Sequence, residues 1–454
     1  MGLALAAALA AQGAAAHTSS FDLYKAGEIG PAREAYRREL FDLQQAGDPV
    51  AIWSQLMLIG WLEESLGEPK RGLDSSSHAL ALALEYNDAF MIGRSLCFVG
   101  WSFASLGLYE LALDFFDRAI RVGTPDGRIA HVAVWGLATQ EKGWVLARMG
   151  KLRLARALLE QTTDFARRNG IDTGVAEGAA HLAEIARLQG RLDDAEALAG
   201  EAVDAALRCD CRDANTARAK VVAAKVALAR ARYDPSLAET ARERGAEAVA
   251  FAEEVSDRRN LAEAKLVLSR SLPKRELDER LALVEAAAAA LSDTESELRG
   301  EAEGELGRVL ADAEQGALAR LYLERGLRIS ESLFRVVDSA FLATDLAELE
   351  FADGETAAEI ARRLEAVATA EASGLHPLAL DNQDALSEVL LEEGYALHAE
   401  GWTERALATV ETLLESAQGS AQKGALLHRK LVLSERLAEI RLRLVIPGPP
   451  APVS

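Results

Sequence analysis

The chain has 454 residues, a formal net charge of −21, 50% hydrophobic residues and only 6% aromatics. Such acidity argues against binding a phosphate backbone, which needs a basic stripe to displace counterions, and the sequence contains no such stripe. It also disfavours anionic membrane surfaces and leaves basic or neutral proteins as the easier partners, although surface charge serves solubility as well.

Residues 1–16 form an apolar run of small side chains, and the first basic residue is Lys25. A cleaved signal and a first repeat helix both fit this run; the absent basic n-region favours the helix and a cytoplasmic location, with export as the alternative. No apolar run reaches the roughly 18 to 20 residues that span a bilayer. From residue 50 one motif recurs: Gly60-Trp61 before Gly67, Gly100-Trp101 before Gly107, and Gly143-Trp144 before Gly150. These hold three of the six tryptophans, at spacings of 40 and 43. A period longer than one helix and shorter than a domain marks a helical repeat array.

The segment after each second glycine follows one grammar. Tyr109, Ala112, Phe116 and Ala119 follow Gly107, and Leu152, Ala155, Leu159 and Thr162 follow Gly150. Steps of three and four place these residues on one helix face, while the glycine breaks the chain before it. Each unit is therefore predicted as helix, turn and helix, with turns at Gly27, Gly67, Gly107, Gly150 and Gly190. Further turns are predicted from Tyr233 to Pro235, near Pro273, from Glu314 to Gly316, at Asp353-Gly354 and at Gly401. Gly394-Tyr395 before Gly401 reads as the opening motif with Tyr in place of Trp.

The predicted fold is an all-α, right-handed solenoid of about ten antiparallel helix pairs. The array covers residues 17–445, is best defined over 50–205 and 385–415, and ends in a capping helix over 421–444 before a Pro-rich tail at 446–454. The acidic stretch 293–314 suits a hinge or a solvated helix face, and its alternating charges favour the solvated face.

No catalytic constellation is legible. Cys97, Cys209 and Cys211 are too few for a disulfide framework, and Cys209-Asp210-Cys211 has no second pair or nearby His to complete a metal site. The seven histidines are scattered. The segment from Gly143 to Lys151 has the wrong glycine spacing and context for a phosphate loop. Carboxylate pairs such as Glu63-Glu64 and Asp193-Asp194 sit at ordinary helix positions, where such pairs usually face solvent. Neither an enzymatic activity nor a cofactor or metal is expected.

Gly100, Phe103, Gly107, Tyr109, Ala112, Phe116 and Ala119 together resemble the tetratricopeptide repeat. The unit is longer than the family's roughly 34 residues and is similar to the long-repeat regions of large bacterial signalling proteins. The resemblance implies that first helices line a concave groove, with Trp61, Trp101, Trp144 and Tyr395 on that face. Arg94, Cys97 and Ser105, with Gln140 and Arg148 one repeat later, match other groove positions. Aromatic and arginine side chains dominate interface energies, so Trp61, Trp101, Trp144, Arg94, Gln140, Arg148 and Tyr395 are candidate contacts for a protein or peptide partner. A recurring tryptophan equally serves packing between adjacent first helices. The Asn of the family's chaperone-tail clamp is replaced by Trp, so that specificity is not implied. The resemblance implies an interaction scaffold; the alternative is a sensor array that binds a small effector.

Overall fold

The structure, a computed structural model, describes residues 20–25, 28–209, 214–291 and 298–445. Among these residues it contains 21 α-helices and no strand, and no helix is long and apolar enough to cross a membrane. The helices run α1 (Ser20–Lys25), α2 (Ile29–Ala46), α3 (Pro49–Ser65), α4 (Pro69–Tyr86), α5 (Ala89–Ser105), α6 (Tyr109–Gly123) and α7 (Val132–Arg148). Next come α8 (Leu152–Arg168), α9 (Asp172–Leu188), α10 (Leu192–Arg208), α11 (Ala214–Ala231), α12 (Ala238–Glu254), α13 (Arg258–Ser271) and α14 (Leu277–Ala290). The chain ends in α15 (Arg299–Asp312), α16 (Gly316–Ser332), α17 (Val336–Ala352), α18 (Thr356–Ser373), α19 (His376–Glu392), α20 (Ala396–Ser416) and α21 (Ser420–Val445). Odd-numbered helices are the first of each pair, which makes ten pairs and a cap. Residues 1–16, Gly27, Cys211 and the tail 446–454 lie outside the described residues.

Local chemistry sets the helix ends. Asp48 caps α3 by accepting hydrogen bonds from the amides of Val50 and Ala51, at 3.0 and 3.1 Å, ahead of Pro49 at the first helical position. In seven of the ten pairs the turn is closed by a residue in the left-handed region, six times Gly and once Glu314. At Gly107 (φ 76°) the Gly107 amide donates to the Ala104 carbonyl and the Leu108 amide to the Phe103 carbonyl, both at 2.9 Å. This pair of bonds satisfies carbonyls that the helix leaves orphaned. The same two bonds recur at Gly394, where its amide donates to Leu391 and that of Tyr395 to Leu390.

That recurrence corrects one expectation. Gly394 is the turn glycine of the last pair, while Gly401 lies inside α20 with open space around it. Tyr395 therefore stands at the entrance to a second helix, 56% exposed, and not at the tryptophan position of a first helix.

Within a pair, the glycine before each tryptophan is where the two helices touch. A Cβ at Gly100 would fall 2.8 Å from the Phe116 ring and 3.3 Å from the Ala112 carbonyl. Ala112, Phe116 and Ala119 are fully buried there. Gly307 repeats the contact with Leu323 in α15 and α16, at 2.6 Å. The described part of the acidic stretch carries an ordinary repeat helix, and its expected solvated face is corrected at Glu305, which is fully buried; residues 293–297 lie outside the described residues.

The array closes on itself. The α5–α6 turn at Gly107 meets Leu333 ahead of α17, the α7–α8 turn at Gly150 meets Val336 and Ser373, and the α9–α10 turn at Gly190 meets Pro377 and Leu413. A step of one pair along the early half matches a step of one pair along the late half, so a second superhelical turn rests on the first. Polar bonds fasten the seam: Asp193 accepts from the amides of Gln418 and Gly419 at 3.0 and 2.8 Å, and Gln422 donates to the Gly190 carbonyl at 2.8 Å. One apolar cluster joins Leu146, Leu152 and Leu188 to Val337, Leu375 and Leu378 across it.

Candidate functional site

Closure forms a half-open cavity of about 430 Å3 between the two turns, lined largely by first helices. Trp144 and Arg148 come from α7, Glu184, Arg187 and Leu188 from α9, Lys225 and Leu228 from α11, Arg232 from the turn after it, and Val267 and Arg270 from α13. The far wall carries Glu301 and Arg308 from α15, Phe341 and Asp345 from α17, and Leu378 and Asp381 from α19. Counting six residues back from the turn residues Gly150, Gly190 and Glu314 gives Trp144, Glu184 and Arg308. In these three pairs one register position faces the cavity, while its side chain changes from aromatic to charged.

The charged groups on this wall are linked in a chain. Arg187 donates to both oxygens of Glu184 at 2.8 and 2.9 Å, and Lys225 bridges Glu184 and Glu263. Arg270 meets Glu305 at 2.7 Å and Glu301 at 3.1 Å, Arg308 meets Asp345 at 2.6 Å, and Arg232 reaches Asp381 at 2.6 Å across the seam. Burial opposes ionisation of Glu184, yet Arg187 and Lys225 outweigh it and hold the carboxyl well below its usual range. Burial likewise opposes ionisation of Glu301, and Arg270 and Lys225 overcome it. The cavity thus pairs an apolar wall with fixed, mutually neutralising charges.

The residues expected from sequence are distributed around this interior. Trp144 is half-buried, stacked on His181 with centroids 4.5 Å apart at 22°, and the Arg148 guanidinium carbon sits 4.2 Å from its ring centroid. Trp61 and Trp101 line a second pocket of about 60 Å3 with Arg94, Cys97 and Phe98. Trp61 also meets Tyr24 edge-on at 5.1 Å, and Trp101 meets Phe98 edge-on at 5.8 Å. Burial lowers the pKa of Arg94, whose guanidinium lies 5.3 Å from the Phe98 ring centroid. Gln140 is buried and donates to the Gly174 carbonyl at 2.7 Å, tying α7 to α9. Tyr395 lines neither pocket.

Several interior residues had no sequence signal. Glu63 and Glu64 do not face solvent: both are buried, and Glu63 accepts from Arg37 at 2.6 Å and Ser75 at 2.7 Å. Glu141, Glu177 and His181 converge from α7 and α9, with one ligand-type atom of each lying within 4.8 Å of the others. Burial and the neighbouring Glu177 push the Glu141 carboxyl up to about 8, against the opposing fields of Arg218 and Arg259. Only the spacing of Glu177 and His181, four residues apart on one helix face, was available to signal this cluster.

The raised Glu141 carboxyl gives stability a definite pH slope. Between the ordinary carboxyl value of 4.5 and about 8, the folded state holds a proton that the unfolded chain has released, so this group's contribution falls as pH rises. Glu141→Gln should remove that slope. Thermal melts should show wild type and variant close together at pH 5, with the variant progressively the more stable up to pH 9; parallel curves would refute the assignment.

No protein-family model matches the chain, and a search of the curated proteins finds no match. Among solved structures the chain is similar to a Rap protein complexed with competence and sporulation factor, at 14% identity over 92% of this chain and 100% of that one, with a TM-score of 0.47. It is also similar to the apo form of RapI, at 11% identity over 65% of this chain and 99% of that one, with a TM-score of 0.42. A third is a signal transduction ATPase with numerous domains from Pyrococcus horikoshii, which carries a tetratricopeptide repeat sensor. There the identity is 12% over 83% of this chain and 55% of that one, with a TM-score of 0.41. By its own succession of helix pairs with a recurring turn, the chain is an all-α helical-repeat protein.

Proposed function

We propose that the chain is a non-catalytic regulatory scaffold that holds a short extended segment of a partner protein in the cavity between its two superhelical turns. The cavity itself carries this reading. Its volume of about 430 Å3 falls in the roughly 300–1,000 Å3 range of sites for small ligands, which suits a short segment and excludes a folded domain. Trp144, Phe341 and Leu378 offer apolar contact, and the ion pairs beside them offer donors and acceptors for a peptide backbone. The same enclosure favours a small effector as the second reading. Because walls from α7 and α9 face walls from α17 and α19, any occupant would touch both turns and bias their spacing.

The test is a display library of short peptides panned on the full chain, with hits measured by calorimetry. Trp144→Ala combined with Phe341→Ala should weaken a genuine ligand at least tenfold while helix content is retained. Peptides that bind both proteins equally would rule out the cavity. A metabolite set that raises the melting temperature where no peptide binds would select the effector reading.

A further inference from the structure

The cluster of Glu141, Glu177 and His181 lies behind the cavity wall and plays no part in the function proposed above. Glu141 is 4% exposed and His181 1%. Among the described residues the close polar neighbours of Glu141 are the carboxyl of Glu177 and the imidazole of His181. Two carboxyls this close, one buried and one part-buried, repel one another when both ionise, and a cation between them relieves that repulsion. Arg218 serves the cluster only at the limit of bonding distance, 3.5 Å from Glu177 Oε1 and 3.4 Å from His181 Nε2.

The imidazole is poised as a ligand. Burial, then Arg218, keeps His181 neutral, and Trp144 stacked on its ring fixes its plane. Tetrahedral ion–ligand distances of roughly 2.0–2.2 Å place ligand atoms about 3.4 Å apart, so atoms within 4.8 Å of one another reach an ion by side-chain shifts of about an ångström. The adjoining pocket of about 60 Å3, lined by Glu141, Glu177 and Asn215, leaves room for a water as a further ligand.

We propose that Glu141, Glu177 and His181 form a site for a divalent first-row transition ion, typified by Zn2+, which sits between the three side chains and turns Arg218 aside. One nitrogen and two carboxylate ligands suit this class, whereas Mg2+ prefers all-oxygen sites. Any proton on the ligand atoms leaves to buffer as the ion enters.

The chelator-treated full chain, titrated with ZnCl2 by calorimetry, should take up one ion per chain. Glu141→Gln, which preserves shape and removes the buried repulsion, should cut affinity at least tenfold, and His181→Gln should do the same. Arg218→Ala should tighten binding several-fold, because it removes the competing cation; a residue with a merely structural role would not produce that gain. Quenching of tryptophan fluorescence by Co2+ should fall in Trp144→Phe. Absence of binding, or several ions per chain unaffected by Glu141→Gln, would overturn the site and identify only adventitious surface carboxylates.

Discussion

Glu305→Ala is expected to destabilise the late half of the array by about 3–5 kcal/mol, the usual cost of removing one partner from a buried charge network. The side chain is fully buried and gathers three helices. It accepts from Arg270 on α13 at 2.7 Å and from Arg308 on its own helix at 3.0 Å, lies 4.0 Å from Arg280 on α14, and takes the Ser269 hydroxyl at 3.2 Å. Arg308 keeps Asp345, Arg280 keeps Asp312 and Arg270 keeps Glu301, so each cation retains one acid. What is lost is the group that holds all three arginines together. Glu305→Gln retains the volume and part of the hydrogen bonding, and should cost about 1–3 kcal/mol. Hydrogen exchange is the suitable measurement, because a repeat array opens by neighbouring units, and protection should fall across α13 to α16 before it falls in α3 to α6. A loss below about 1 kcal/mol would mean that water reaches Arg270 and Arg308 through the cavity they line, and that the network is not dry.

The repeat itself was legible because its chemistry is local. Gly107 must adopt φ 76°, Gly100 must let Phe116 approach, and Phe116 must fall on the face set by Tyr109 and Ala112. Each requirement leaves a residue type at a fixed offset. The signature fades after Gly190 for an equally local reason: Glu314 accepts the left-handed turn at φ 59° that glycine fills elsewhere, and the inward position changes from Trp144 to Glu184 and Arg308. Architecture persists there while composition does not. The misplaced last motif has the same origin, since Gly394 and Gly401 are seven residues apart, as Gly60 and Gly67 are, and only backbone bonds show that Gly394 is the turn.

Closure could not be read from the sequence at all. It arises from a small rotation accumulated over pairs, which no single repeat encodes, and it brings Arg232 to Asp381 across 149 positions. The cavity inherits that blindness: Phe341, Asp345 and Asp381 gain meaning only beside Trp144 and Glu184. Likewise the seven scattered histidines gave no hint that His181 would meet Glu141 from the preceding pair.

The second large effect is expected at the seam. Gly107→Ala and Gly190→Ala each incur the left-handed penalty of roughly 1–2 kcal/mol, offset in part by the lower entropy of the unfolded chain. Each also places a methyl group against the opposite turn, 2.5 Å from Leu333 in the first case and 2.6 Å from Leu413 in the second. Overpacking of this kind adds about 1–3 kcal/mol per site. Gly354 and Gly394 share the conformation, at φ 72° and 82°, but a Cβ there meets nothing within 4 Å. Alanine at both of these control positions therefore reports the backbone cost alone. The Gly107/Gly190 double variant should lose several kcal/mol more than the Gly354/Gly394 pair, and small-angle scattering should show a longer particle with raised exchange in α17 to α21. If the two doubles behave alike, Leu333 and Leu413 move aside freely and the seam does not hold the turns together. If they differ as expected, the turn glycines have two tasks, ending a helix and seating the next superhelical turn, and the cavity exists because both are met.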